Sequence, residues 1–191
     1  MVTEDKLKAY YQGEIDYFCA IYAIINAIRL AAVRYHRFSF KEGCRFYQHM
    51  VQYLFDRGKF LEVLYSGTSL ELMDELLGEA RKYLFDVFGL KMRWKYPLKC
   101  KDMSVIRAGE YVGHYLSRRD TSCIMRLHNK DVGDHWSVVR KRAFSYKLRL
   151  FDSYFYPGID VKKSTWEPYC DDGLHHIVKS GVIFIKVFRQ I

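Results

Sequence analysis

The feature that most constrains the fold is an apolar run at residues 18–33, FCAIYAIINAIRLAAV. It is apolar almost all round and longer than an ordinary strand, so it predicts a helix buried at the centre of the protein. Asp16, just before the run, is a candidate N-cap. The charge-free part, residues 17–28, is shorter than the roughly 20 residues that cross a bilayer. We therefore expect a core helix and no membrane insertion.

Further helices are predicted along the first two thirds of the chain. Aromatic and apolar residues recur at helical spacing over residues 41–57. Thr68 is followed three residues later by Glu71, which is the pattern of a capping box, and Gly89 is a suitable end for the helix that follows. Residues 104–117 form another helical segment.

From about residue 121 the pattern becomes that of strands. Apolar, β-branched or alternating runs occupy residues 123–127, 135–140, 147–151 and 181–188. Helices therefore come first and strands later, which favours an α+β fold over alternating α/β. We expect one domain over residues 1–191, with an N-terminal helical part that packs on a C-terminal antiparallel β-sheet.

The chain has 31 basic and 22 acidic residues, a net charge of +9 and a pI near 9.2. The basic residues are scattered, and no run contains five like charges in succession. This distribution is typical of a solvated basic surface that could also bind an acidic protein partner. Without a zinc-finger spacing or an Arg-rich tail, we do not expect nucleic-acid binding.

The five cysteines are odd in number, and no two are spaced as Cys-x-x-Cys. This argues against a disulfide scaffold and against a structural zinc site. His175 and His176 lack further ligands at suitable spacing, so we expect no metal and no cofactor. The N-terminal residues lack the apolar core of a signal peptide. The expected location is the cytoplasm, or outside the cell as an effector exported without a cleaved signal.

Three residues are candidates for nucleophilic catalysis. Cys19 stands near the start of the predicted central helix, where free N–H groups and the helix dipole favour a thiolate. His135 opens a predicted strand, and Asp152 ends the next one. In an antiparallel hairpin those two ends meet at one edge, so the carboxylate could orient the imidazole that serves as base.

Thiol attack on a carbonyl also needs hydrogen-bond donors for the oxyanion. Gln12 lies seven residues before Cys19, in a predicted loop. Its side-chain amide could donate one hydrogen bond, and the backbone N–H of Cys19 could donate another.

The segment 12–27, QGEIDYFCAIYAIINA, resembles the nucleophile segment of papain-like cysteine proteases. It is most similar to bacterial members related to bacteriocin-processing peptidases. Residues 135–139, HWSVV, and 150–153, LFDS, resemble the later His and Asp/Asn strands of that family. Ala20 departs from the pattern, since many members have glycine after the cysteine, and the Gln-to-Cys spacing is one residue longer than in papain.

The resemblance implies a papain-like fold without a cofactor. It implies that Cys19 is the nucleophile, His135 the base, Asp152 the group that orients the base, and Gln12 the oxyanion-hole side chain. The function it implies is that of a thiol-dependent hydrolase, a cysteine peptidase, amidase or deamidase acting on a protein or peptide. Substrate-recognising loops are expected within residues 34–120.

Two alternative functions share these residues. One is an acyl or amine transferase, such as a transglutaminase-type toxin or effector. The other is an inactive papain-like binding module that grips an acidic partner with its basic surface. Each residue also has an ordinary interpretation: Cys19 as a buried small apolar residue, Asp152 as a turn residue, and Asp134 as the carboxylate that pairs with the histidine in its place.

Overall fold

The structure is a computed structural model. It describes residues 7–12, 17–129, 133–142, 146–154, 157–166 and 175–189. The candidate N-cap Asp16 lies outside these ranges.

Helix α1, Cys19–Ala32, confirms the central helix expected from the apolar run. Every residue in it except Tyr22 is buried. Phe18 occupies the N-cap position, and its side chain makes no capping hydrogen bond. The first backbone N–H groups of α1 are therefore not bonded by a cap side chain at the end where Cys19 stands.

The other helices follow the predicted pattern with two differences. Ser69, not Thr68, is the N-cap of the long helix, and its side chain accepts a hydrogen bond from the Leu72 N–H. Gly89 ends that helix in the left-handed conformation, at φ 63°, which glycine adopts without strain. Most of the segment 34–120 forms helices, as predicted for residues 41–57, 68–89 and 104–117, and Phe60–Ser66 is an additional helix. The helices are α2 Phe40–Asp56, α3 Phe60–Ser66, α4 Leu70–Phe88 and α5 Val105–Leu116.

A single sheet contains all seven strands of the described residues, in the order β1-β7-β2-β3-β4-β5 with β6 also paired to β7. The pairs are antiparallel except β6 with β7, which is parallel, so the expected all-antiparallel sheet is wrong at this one pair. Strand β1 lies between α4 and α5 and was not predicted. The strands are β1 Leu90–Lys95, β2 Thr121–Asn129, β3 Gly133–Arg142, β4 Lys147–Leu150, β5 Gly158–Asp160, β6 Ser164–Trp166 and β7 His175–Arg189.

Helices cover both faces of the sheet. On one face, α1 to α4 pack with Ile124, Val138 and Ile183 in one apolar cluster. On the other face, α5 packs with Cys123 and Phe184 in a second cluster. This arrangement confirms the α+β class. Among the described helices, none has the length and apolarity needed to cross a membrane.

Candidate active site

The imidazole of His135 and the carboxylate of Asp152 form a buried pair. The His135 Nε2 atom lies 2.8 Å from Asp152 Oδ2, with side chains that are 7% and 1% exposed. At this distance an Nε2–H donates to the carboxylate, which fixes the orientation of the ring. The other ring nitrogen, Nδ1, then remains for a second partner.

The second group that acts on His135 is the Cys19 side chain, which is close enough to the imidazole to help raise its pKa. Cys19 is the first residue of α1 and is only 5% exposed. Its Sγ also lies 3.9 Å from the carbonyl oxygen of Tyr17. The structure thus brings Cys19, His135 and Asp152 together, with the imidazole between the thiol and the carboxylate.

The surroundings of His135 favour its charged form. Burial acts to lower the pKa of His135, but hydrogen bonds to Asp152 and Cys19 and the charges of both raise it from 6.5 to about 10. Burial likewise acts to raise the pKa of Asp152, but the hydrogen bond and charge of His135, with the Tyr154 N–H, bring it below 3.8. At neutral pH the pair is therefore an imidazolium and a carboxylate.

Asp152 lies two residues beyond the end of β4, not at the end of the strand as predicted. The antiparallel course of the chain continues past Leu150, because the Phe151 N–H donates to the Val138 carbonyl at 2.7 Å. Asp152 Oδ1 then accepts from the Tyr154 N–H at 2.7 Å, which begins a turn. One carboxylate oxygen thus holds the turn, and the other binds the histidine.

Gln12 lies beside this turn. Its backbone N–H donates to the Ser153 carbonyl at 3.1 Å, and the Ser153 hydroxyl donates to Gln12 Oε1 at 3.1 Å. The Ser153 hydroxyl therefore identifies which end of the Gln12 amide is the oxygen. The other end is the NH₂ group, which carries the hydrogen-bond donors. Ser153 was not among the predicted site residues, and its only signal in the sequence is its position after Asp152.

The segment that carries Gln12 is anchored by polar residues of α1. Asn26 is fully buried and makes two hydrogen bonds with the Tyr10 backbone, accepting from the N–H at 2.9 Å and donating to the carbonyl at 3.1 Å. The Arg29 guanidinium donates to the Lys8 carbonyl at 3.0 Å and lies 3.5 Å from the centre of the Tyr10 ring. These two polar residues explain how an otherwise apolar helix positions the segment with Gln12.

Other residues near the site have distinct surroundings. The Tyr154 ring lies 6.3 Å from the His135 ring and is 38% exposed, and Tyr17 is 53% exposed. Trp136 is buried in the core, and its Nε1–H donates to the Thr68 carbonyl. Asp134 forms an ion pair at 2.7 Å with Arg126 and lies 3.2 Å from His128 Nδ1. The two tyrosines therefore border the site, while Asp134 belongs to a separate surface cluster.

Cys19, Cys44, Cys100 and Cys123 are free thiols, and Cys170 lies outside the described residues. Within those residues, no group of three or more His, Cys, Asp or Glu side chains could hold a metal ion. The side chain of His175 also lies outside the described residues.

Comparison with known proteins gave a match among solved structures. No protein-family model matches the chain, and no curated protein sequence matches it. A solved structure titled Pseudomonas avirulence protein AvrPphB is similar over 97% of this chain and 98% of its own, with 8% identity and a TM-score of 0.36. At that TM-score the likeness carries no argument about this protein.

Proposed function

We propose that this protein is a papain-like thiol hydrolase, a cysteine peptidase, amidase or deamidase, whose single domain acts on a protein or peptide. The observation that supports it best is one imidazole that is held by a buried carboxylate and lies beside a thiol at a helix start. A core cysteine without a catalytic role does not need a charged histidine held at 2.8 Å by a carboxylate.

In this proposal Cys19 Sγ attacks the carbonyl carbon of an amide and forms a carbon–sulfur bond. The carbonyl electron pair moves onto oxygen, where the Cys19 backbone N–H and the Gln12 NH₂ group stabilise it. His135, protonated at Nδ1, gives its proton to the leaving amine as the carbon–nitrogen bond breaks. His135 then takes a proton from water as the water oxygen attacks the thioester carbon. The carbon–sulfur bond breaks and the acid leaves, which returns the Cys19 sulfur and the protonated His135 to their starting states.

The test of the proposed nucleophile compares two cysteines of opposite accessibility. Cys19 is 5% exposed, whereas Cys100 is exposed. We expect iodoacetamide at pH 7 to modify Cys19 faster than Cys100, because His135 beside Cys19 activates its sulfur as a nucleophile. In His135→Ala the Cys19 rate should fall about tenfold or more, with the Cys100 rate unchanged as an internal control. Equal or faster modification of Cys100 in the wild type would overturn the proposal.

A second test concerns the oxyanion hole. Gln12→Ala should leave iodoacetamide labelling of Cys19 unchanged, since alkylation forms no oxyanion. Turnover of a cleaved peptide should fall about 10²- to 10³-fold in kcat. Screening a peptide library by mass spectrometry would supply that peptide. A Gln12→Ala variant with unchanged kcat would remove Gln12 from the mechanism.

The same centre would support acyl transfer if an amine outcompeted water for the thioester. Adding a primary amine to the peptide reaction distinguishes the two outcomes, because a hydrolase gives mostly acid and a transferase mostly the amide of the added amine. Binding of an acidic protein that survives Cys19→Ala, without any turnover, would instead favour the inactive binding module.

A further inference from the structure

A basic cleft lies on the face of the sheet that α5 covers. It encloses about 370 Å³, a volume within the range of small-molecule sites. Two strands and the end of α5 supply its charges. The basic cleft is lined by the side chains Arg93 and Lys95 of β1, Lys186 of β7, and Arg118 just after α5, together with Thr121 at the start of β2.

The strand register explains why these cations converge. Arg93 pairs with Lys186 across β1 and β7, and Lys186 pairs with Thr121 across β7 and β2. Paired residues on neighbouring strands lie side by side, and residues two apart on a strand share a face, so Lys95 joins Arg93. Strands β1 and β7 therefore present three cations on one face, and Arg118 lines the same cleft.

These charges are not balanced by acidic neighbours. In the described parts of the chain, none of the four cations forms an ion pair with a carboxylate. The nearest acid along the chain, Asp120, lies 3.6 Å from Arg34 and accepts a hydrogen bond from the Tyr35 hydroxyl at 2.8 Å. Like charges that share a cleft repel one another, and a bound anion relieves that repulsion.

The cleft has a rigid wall. The Tyr115 ring stacks on Phe184 with centroids 3.8 Å apart, and its hydroxyl donates to the Ile185 carbonyl at 2.9 Å. Burial, the largest cause, raises the pKa of Tyr115 to about 12, so the phenol stays neutral. The Tyr115 side chain is therefore a fixed and uncharged part of the cleft, and it adds no negative charge that would repel an anion.

The basic cleft is remote from the candidate active site. On β2, Leu127 pairs with His135, whereas Thr121 begins the strand. Six residues of strand separate these positions by about 20 Å. The cleft also faces α5, while Cys19 belongs to the helix on the opposite face of the sheet. The cleft is therefore not part of the proposed hydrolase site.

From this geometry we infer that the basic cleft binds a polyphosphate group, either of a soluble small molecule or of a lipid headgroup. Arginine binds phosphate through paired N–H donors, and lysine supplies point charges. The cleft is concave and compact, whereas a nucleic acid needs cations spread along its backbone. An acidic peptide presents carboxylates one residue apart, farther apart than the phosphates of one polyphosphate.

Calorimetric titration with inorganic tripolyphosphate tests this inference without using any catalytic activity. We expect saturable binding at one site per chain in low salt, weakened by added NaCl. Arg93→Gln/Lys95→Gln removes two exposed cations of the cleft and should weaken binding about tenfold or more. Lys41→Gln/Arg45→Gln removes the same charges from exposed positions on α2 and should leave the affinity nearly unchanged. Arg118→Gln, on a different element, should weaken binding as well.

Three results would overturn the inference. The first is the absence of saturable binding of tripolyphosphate. The second is an equal loss of affinity in the two double variants. The third is competition by an oligonucleotide whose own binding is unchanged by Arg93→Gln/Lys95→Gln. Co-sedimentation with vesicles of phosphatidylcholine and 5% phosphatidylinositol bisphosphate identifies the source of the phosphate. Sedimentation that tripolyphosphate reverses supports a lipid headgroup, and tripolyphosphate binding without sedimentation supports a soluble ligand. Circular dichroism melting of each variant excludes unfolding as the cause.

Discussion

Asp152→Asn removes the charge of the carboxylate in the buried pair but keeps an oxygen that accepts from His135 Nε2. The pKa of His135 rises from 6.5 to about 10, which corresponds to about 5 kcal/mol at 1.36 kcal/mol per pH unit. Asp152 contributes the largest favourable part of that rise. The variant keeps the hydrogen bond and loses only the charge of the carboxylate. We therefore expect the free energy of unfolding at pH 7 to fall by less than the full value, by about 3 kcal/mol.

The dependence of this loss on pH follows from the direction of each pKa change. The folded pKa of His135 lies above its unfolded value, so its contribution is complete below pH 6.5 and disappears as the pH rises to about 10. The folded pKa of Asp152 lies below 3.8, so its contribution is lost only as the pH falls into the acid range. The difference in stability between wild type and Asp152→Asn should therefore decrease between pH 7 and 10, as the part that depends on charged His135 is lost.

Urea denaturation at pH 7, 8, 9 and 10 measures that difference directly. Asp134→Asn is the matched control, because Asp134 precedes His135 but is 46% exposed and pairs with other residues. Its effect should be about 1 kcal/mol or less. A difference for Asp152→Asn that stays constant across this pH range, or one no larger than that of Asp134→Asn, would refute the charged pair.

Three further substitutions test the supports of the site and the core. Ser69→Ala removes the cap of α4 and should cost about 1 kcal/mol by thermal denaturation; no change in Tm would contradict the assigned cap. Asn26→Ala releases both backbone groups of Tyr10 and should cost about 2–3 kcal/mol, with faster amide hydrogen exchange at Tyr10; unchanged exchange would contradict that anchor. Gly43→Ala places a Cβ against the Tyr10 ring, so the ring must move and stability should fall by about 1–3 kcal/mol; an unaltered Tm would exclude the close approach.

Local patterns were enough to predict much of the helical part. The length and apolarity of residues 18–33 predicted α1, and a glycine after an amphipathic run predicted the end of α4 at Gly89. Helix α3 has seven residues, too few for a periodic pattern to be recognised. Strand β1 did carry a signal, since Lys91, Arg93 and Lys95 alternate with apolar residues, but these lysines and arginines were interpreted only as scattered surface charge.

The residues of the candidate site were chosen from local position, but their convergence is a long-range property. Nothing within a few residues of Cys19 or His135 encodes the contact between α1 and β3, which are more than 100 residues apart. The contact arises because α1 packs across the same sheet that carries β3. The basic cleft was missed for the same reason, since its cations come from β1, β7 and the end of α5 and adjoin only through the register of the sheet.

The most direct measurement is the capture of an acyl group on Cys19. Brief exposure to p-nitrophenyl acetate, followed by acid quenching and peptide mass spectrometry, maps the acetyl group while absorbance records p-nitrophenol. We expect a burst of about one equivalent with acetyl on Cys19, absent in Cys19→Ala and slower in His135→Ala. An equal burst in Cys19→Ala, or acetyl found only on lysines and Cys100, would contradict a thiol nucleophile at the start of α1.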